Sequence, residues 1–266
     1  LRSTMATRVG AVGEQGSVDS WWTMTWPLHL DRRRRPSSVE YRAADKNSFI
    51  RLAGQPDTSD NRMETPTIKL TMPGRAESLR LAMVLSGIPF QDERIRHDDW
   101  PNMKPKTLFG ALPEMTIDGV QFAQTNALLR YVAHIGGLEP SAALDRLRVD
   151  QIVDGVGDVI AAIEPTLHEE DRGKKMSIRK DLVDTPYLRG LDYLVGQNSV
   201  EGHSCGDKVT MADLSIWTVT QWFRLGVLNG IPTDVVDAYP NLAKVVKAVD
   251  HHPRVIEWRQ AHPLKK

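Results

Sequence analysis

A single cysteine, Cys205, stands in the 266 residues, so neither an intramolecular disulfide framework nor a Cys-x-x-Cys redox pair can form, which fits a reducing compartment. The cytoplasm is the expected location. No apolar run approaches the ~20 residues that span a bilayer, and even Leu79 to Leu85 is interrupted by Arg80. Net charge is lacking as well: Lys+Arg 34 balance Asp+Glu 34, so no long-range field gathers nucleic acid or an anionic membrane. There is no glycine-rich phosphate loop, no Ser/His/Asp order and no interleaving of aromatic and basic residues, which removes nucleotide, hydrolase and RNA readings. His203 with Cys205, and His251 with His252, are isolated pairs that do not make up a zinc ligand set, so no metal is expected.

What is present is a globular composition, 41% hydrophobic and 26% charged, long enough for one large domain or two ordinary ones. Residues 1–62 stand apart: scattered Gly and Ser, the run Arg32-Arg33-Arg34-Arg35, a Trp21, Trp22, Trp26 cluster and no sustained period. They read as a disordered, loosely attached or non-native extension, with Met63 the expected start. Glu14, Asp19 and Asp31 argue against a transit peptide, and the Arg run reads as solvated.

From Thr67 the pattern sharpens. Thr67 to Thr71 predicts a strand, Met72-Pro73-Gly74 a turn, and Leu79, Ala82 and Met83 with Leu81, Val84 and Leu85 a helix closed by Gly87 and Pro89. Phe90 to Arg96 predicts a second strand. Glu114 to Ile117 and Val120 to Ala123 flank Asp118-Gly119, a strong hairpin signal. A helix capped by the Thr125 hydroxyl then runs to Gly136-Gly137. The order is βαβ, loop, ββα over residues 63–137. In residues 138–266 strand signals fade and helical periodicity appears at Leu147 to Ile160, Leu188 to Val195, Leu214 to Leu228 and Leu242 to Trp258, so an all-helical second domain follows.

Residues at the junctions resemble the cytosolic glutathione transferase family: Gly74-Arg75-Ala76-Glu77, Trp100-Pro101-x-x-Lys104, Phe109-Gly110-Ala111-Leu112-Pro113, Gln124-Thr125, and Gly206-Asp207-Lys208-Val209-Thr210-Met211-Ala212-Asp213. The first two look most like the sigma class, which includes glutathione-dependent prostaglandin D synthases. The resemblance implies an α/β plus all-α architecture, with a thioredoxin-like βαβ-ββα domain ahead of the helical one. It implies glutathione as co-substrate, an electrophilic small molecule as acceptor, and a homodimer.

It also implies the site. Pro113 would be cis and turn the backbone of Leu112 outward to pair with the tripeptide; Gln124 and Thr125, at a helix start, would receive the γ-glutamyl carboxylate. Trp100 and Lys104 would meet the glycyl carboxylate, and Asp154, with Asp150 beside it, the γ-glutamyl amine of the neighbouring subunit. Thr210 and Asp213 form a capping box that is structural. Ala161, Trp217 and Phe223 are candidates for the acceptor pocket, and Cys205 reads as a buried small hydrophobe.

One departure matters. A thiol near pKa ~8.5 is mostly protonated at neutral pH and needs a donor or positive charge beside the sulfur. The family pattern supplies a tyrosine just after the first strand; here Lys69-Leu70-Thr71 passes through Met72-Pro73 straight to Gly74-Arg75. Thr71 and Arg75 are the remaining catalytic candidates. The expected function is a glutathione transferase, or a glutathione-dependent isomerase; the alternative is a catalytically silent glutathione-binding or scaffold protein on the same fold, and a purely structural role comes third.

Overall fold

The computed structural model describes residues 66–72, 76–184 and 186–263. The residues before 66, and Arg75 with the two before it, lie outside that set.

A four-stranded sheet forms from β1 (Ile68–Thr71), β2 (Phe90–Glu93), β3 (Glu114–Ile117) and β4 (Val120–Ala123) in the order β2-β1-β3-β4. β1 and β2 are parallel, joined through α1 (Glu77–Ser86); β1 with β3 and β3 with β4 are antiparallel. The Asp118-Gly119 turn closes the β3–β4 hairpin with both residues at positive φ, 49° and 83°. α3 (Thr125–Gly136) packs with α1 on one sheet face. There Ile68, Leu70 and Met115 join Leu79, Met83, Leu129 and Val132 in the core.

α1 ends at Gly87, whose φ of 69° only glycine takes readily and whose N–H reaches the Met83 and Val84 carbonyls. The sequence predicts an apolar face for this helix; the structure buries Glu77 through Met83 in succession. α3, α7 and α9 (the last two defined below) all lie against it. Arg80, the charge that breaks the apolar run, is fully buried and paired with Asp92 at 2.8 Å and Glu77 at 3.2 Å.

Close approach of α1 and α3 requires Gly136. A β-carbon there would stand 2.1 Å from Ser86 Oγ and 2.7 Å from Ser86 Cβ. Gly136→Ala is therefore expected to lower unfolding free energy by about 2 kcal/mol, overlap outweighing the gain in helix propensity. Urea titration of the two proteins measures it; an unchanged or raised stability would show that the helices part freely.

The second layer contains α4 (Ala143–His168), α5 (Arg172–Asp184), α6 (Pro186–Asn198), α7 (Met211–Arg224), α8 (Pro240–Asp250) and α9 (Pro253–Ala261). Four expectations are corrected here. α5 has no counterpart in the periodicity, because the side chain it buries is Arg179, hydrogen-bonded to Thr166 and the Asn229 carbonyl. The run from Leu242 to Trp258 is two helices: Pro253 holds His252 extended at φ −67°, ψ 126° and itself begins α9. α7 stops at Arg224, with Gly226 at φ 66°. Strand β2 likewise ends at Glu93 rather than Arg96.

α9 returns to the sheet layer. Arg254 donates to the Val84 and Leu85 carbonyls at 3.0 and 2.9 Å, and the Trp258 indole donates to Glu77 at 2.8 Å. Among the described residues no helix is long and apolar enough to cross a membrane.

Candidate functional site

Strand register brings the sequence-predicted residues to one end of the sheet. Thr71 pairs with Glu93 of β2 and with Glu114 of β3, and Glu114 pairs with Ala123 of β4. The segments that enter or leave the sheet there are Leu112-Pro113 ahead of β3, Gln124-Thr125 after β4, and the stretch toward Arg75 after β1. Trp100 and Lys104 follow the same end of β2, in and just after α2 (Trp100–Met103).

The Leu112-Pro113 bond is cis. Neither the N–H nor the carbonyl of Leu112 makes a backbone hydrogen bond to another described residue, so both are available to an added strand. Trp100 is half-buried, and its indole N–H has no partner among the described residues. The Lys104 stem runs beside Gly110, whose α-hydrogen side faces Lys104 Cε at van der Waals distance. Its ammonium makes no ion pair among the described residues.

Glu114 is a contributor that sequence reasoning passed over. Almost fully buried, it accepts from the Leu108 backbone N–H and from Gln121 Nε2, tying the loop that carries Lys104 to the strand behind Pro113. The signal available was an acid in a strand directly after Leu-Pro.

At the α3 start the expected Thr125 cap is corrected. The cap position belongs to Gln124, at φ 77° and ψ 104°, and no side chain caps the helix. Only the Gln124 carbonyl is engaged, by Leu128 N–H at 3.0 Å. The first-turn N–H groups, uncapped by any side chain, lie at the positive end of a twelve-residue helix. A glutamine in the left-handed region is strained by about 1–3 kcal/mol, and such strain concentrates at binding sites.

Asp150 and Asp154 do share a face of α4, and both hold Arg130 of α3: its Nε lies 2.6 Å from Asp150, its Nη2 2.8 Å from Asp154. Asn126 donates to Asp154 at 2.9 Å. The Asp150 hydrogen bond foremost holds the Arg130 guanidinium above its usual range. Asp158, one turn further along, is exposed with no partner among the described residues.

Near the expected sulfur position, Thr71 is 7% exposed and its hydroxyl lies 2.9 Å from Glu93 Oε2. Glu93 Oε1 lies 3.0 Å from Lys69 Nζ. That lysine foremost keeps the Glu93 carboxyl below its ordinary range, against burial.

The acceptor-pocket expectation is corrected in part. Trp217 is fully buried, its indole donating to Asp250 at 2.8 Å, and Phe223, itself buried, lines an apolar pocket with Ile163 and Tyr187. Ala161 alone of the three is exposed. Cys205 is buried, and burial pushes its thiol up, away from thiolate chemistry.

Comparison with known proteins bears on this arrangement. Residues 157–262 match the glutathione S-transferase C-terminal domain family. Glutathione S-transferase 1 of Ascaris suum is 31% identical over 208 residues, covering 74% of this chain and 98% of that protein. The solved prostaglandin synthase D of Nilaparvata lugens superposes with TM-score 0.68 at 25% identity, over 75% of this chain and 100% of that one. A monomeric glutathione S-transferase of the hookworm Necator americanus gives 0.65 at 27%, over 75% and 99%. With its sheet, its helical layer and nearly the full length of such a relative matched, the chain belongs to the glutathione S-transferase family.

Proposed function

We propose that this protein binds glutathione at the strand-end site and adds its thiolate to electrophilic small molecules. The observation that carries the reading is the convergence, by register, of Leu112-Pro113, Gln124-Thr125 and the β1 exit at one end of the sheet. Leu112 pairs with the tripeptide backbone and Pro113 shapes that edge. Gln124 and Thr125 offer the helix-end N–H groups to the γ-glutamyl carboxylate, and Trp100 and Lys104 meet the glycyl carboxylate. Arg75, with Thr71 nearby, serves the sulfur.

The same site suits a glutathione-dependent isomerase, in keeping with the prostaglandin synthase among the structural neighbours. The lone buried cysteine and a glutathione ligand fit the cytoplasm. The thioredoxin-like domain is taken as residues 63–137 and the helical domain as 138–266.

A homodimer completes the reading. β4 is an edge strand, and it exposes Val120 and Phe122, as α4 exposes Leu144 and Leu147. Asp154 would meet the partner-bound amine, and Asp158 adds an exposed carboxylate without a partner among the described residues. Sedimentation separates this from a monomer such as the hookworm relative.

The second reading, a catalytically silent glutathione holder, is favoured by one observation: no tyrosine follows β1, and Thr71 is already engaged by Glu93. Calorimetry with glutathione, beside turnover of a chloronitrobenzene acceptor, decides. Binding with turnover supports the transferase, binding alone the holder, and no heat sinks both. Lys104→Met is expected to weaken binding about tenfold by removing one charge-assisted bond; unchanged affinity would remove Lys104 from the site.

A further inference from the structure

Thr71 carries one hydroxyl proton, and that proton has a destination. Its Oγ1 lies 2.9 Å from Glu93 Oε2, while Glu93 Oε1 receives Lys69 Nζ at 3.0 Å. A carboxylate paired with an ammonium has nothing to donate, so the bond runs from threonine to glutamate. Lys69 and Thr71 alternate onto one face of β1, and Glu93 is the register partner of Thr71 in β2, so the ladder itself fixes this row. Thr71 is buried, which shields the bond on the threonine side, while about a third of the Glu93 side chain stays exposed.

We infer that Glu93 is a positioning residue that turns Thr71 into a hydrogen-bond acceptor toward the sulfur position, so that this hydroxyl holds a thiol rather than favouring a thiolate. The inference rests on the glutathione reading for the identity of the sulfur. With its proton committed to Glu93, Thr71 Oγ1 offers a sulfur only lone-pair density, to which an S–H can donate and which repels an S⁻. The surrounding charges do not reverse this. Lys69 is committed to Glu93; Glu114, opposite Thr71 in β3, is a second buried acid; Asp92 turns to the other face, toward Arg80 and Arg94. Thiolate support is then left to groups other than the threonine.

The isosteric change Glu93→Gln makes a specific expectation. Lys69 keeps the amide oxygen, the amide NH₂ then faces Thr71 Oγ1, and the hydroxyl proton is released toward the sulfur. The titration midpoint of bound glutathione, followed by thiolate absorbance on the full chain, should fall by about one pH unit, about ten times more thiolate at neutral pH. Thr71→Val added to Glu93→Gln should undo that gain, and Thr71→Val alone should not raise the midpoint. A raised midpoint in Thr71→Val alone, or no fall in Glu93→Gln, overturns the inference. The bond direction is read without glutathione: in carboxyl-labelled protein, NMR titration of Glu93 should move upward in Thr71→Val, because a donor to the carboxylate is lost. An unmoved Glu93 overturns the inference even if glutathione binds. Absence of binding heat with a moved Glu93 sinks the glutathione reading while the direction of the bond stands.

Discussion

Arg80→Met should cost about 3–5 kcal/mol of unfolding free energy, the range for breaking a buried ion pair from one side. The guanidinium is fully buried and joins three partners from different parts of the chain: Glu77 one turn back, Asp92 on β2, and the Met72 carbonyl at the β1 exit. Methionine fills similar volume but donates nothing, so Glu77 and Asp92 keep their charge with fewer donors. Arg94 still reaches Asp92 and Trp258 still reaches Glu77, which limits the loss. Pairing the change with Glu77→Gln should recover part of the stability, because one uncompensated charge is gone. Chemical denaturation of the single and double variants measures both; a loss under about 1 kcal/mol for Arg80→Met would mean the network is solvated in solution.

Asp213→Ala is the second large effect, about 3 kcal/mol. Its carboxylate accepts from Ser204 N–H at 2.6 Å, from Thr210 N–H at 2.7 Å and from the Thr210 hydroxyl at 2.8 Å. Burial pushes this carboxyl up, while those donors pull it back. Alanine orphans two backbone N–H groups inside the protein, at about 1–3 kcal/mol each, and removes the capping box that opens α7. Because α7 packs on α1, α4 and α8, the fraying spreads. Asp213→Asn keeps one acceptor and should fall between. Thermal unfolding orders the three proteins, and an alanine variant equal to the parent would show that solvent reaches these groups.

The sheet and the hairpin were legible because their signals are local. Asp118-Gly119 takes positive φ at both positions, and the alternation on either side pairs Glu114 with Ala123 through Ile117 with Val120. Gly87 and Gly137 closed their helices for the same reason, each at positive φ. What escaped the sequence depends on distant partners. Periodicity reports one buried face, so it could not show that α1 is enclosed all round or that Arg80 is inside. α5 buries an arginine instead of an apolar stripe, and the break at Pro253 was concealed by apolar residues on both sides. At the site, the individual segments were legible from their order, whereas Glu114 holding Leu108 and Glu93 engaging Thr71 are side-chain bonds within the chain that only the folded strands and loop reveal.

The contacts of α9 bear on cooperativity. Arg254 closes the end of α1, and Trp258 meets the acid at its beginning, so the final helix of the described chain completes the first helix after β1. The sheet layer therefore cannot melt ahead of the helical layer without exposing α1 carbonyls and Glu77. Calorimetric heating should show these layers crossing in a single transition, and removing the chain from Pro253 onward should split it, the sheet layer melting first.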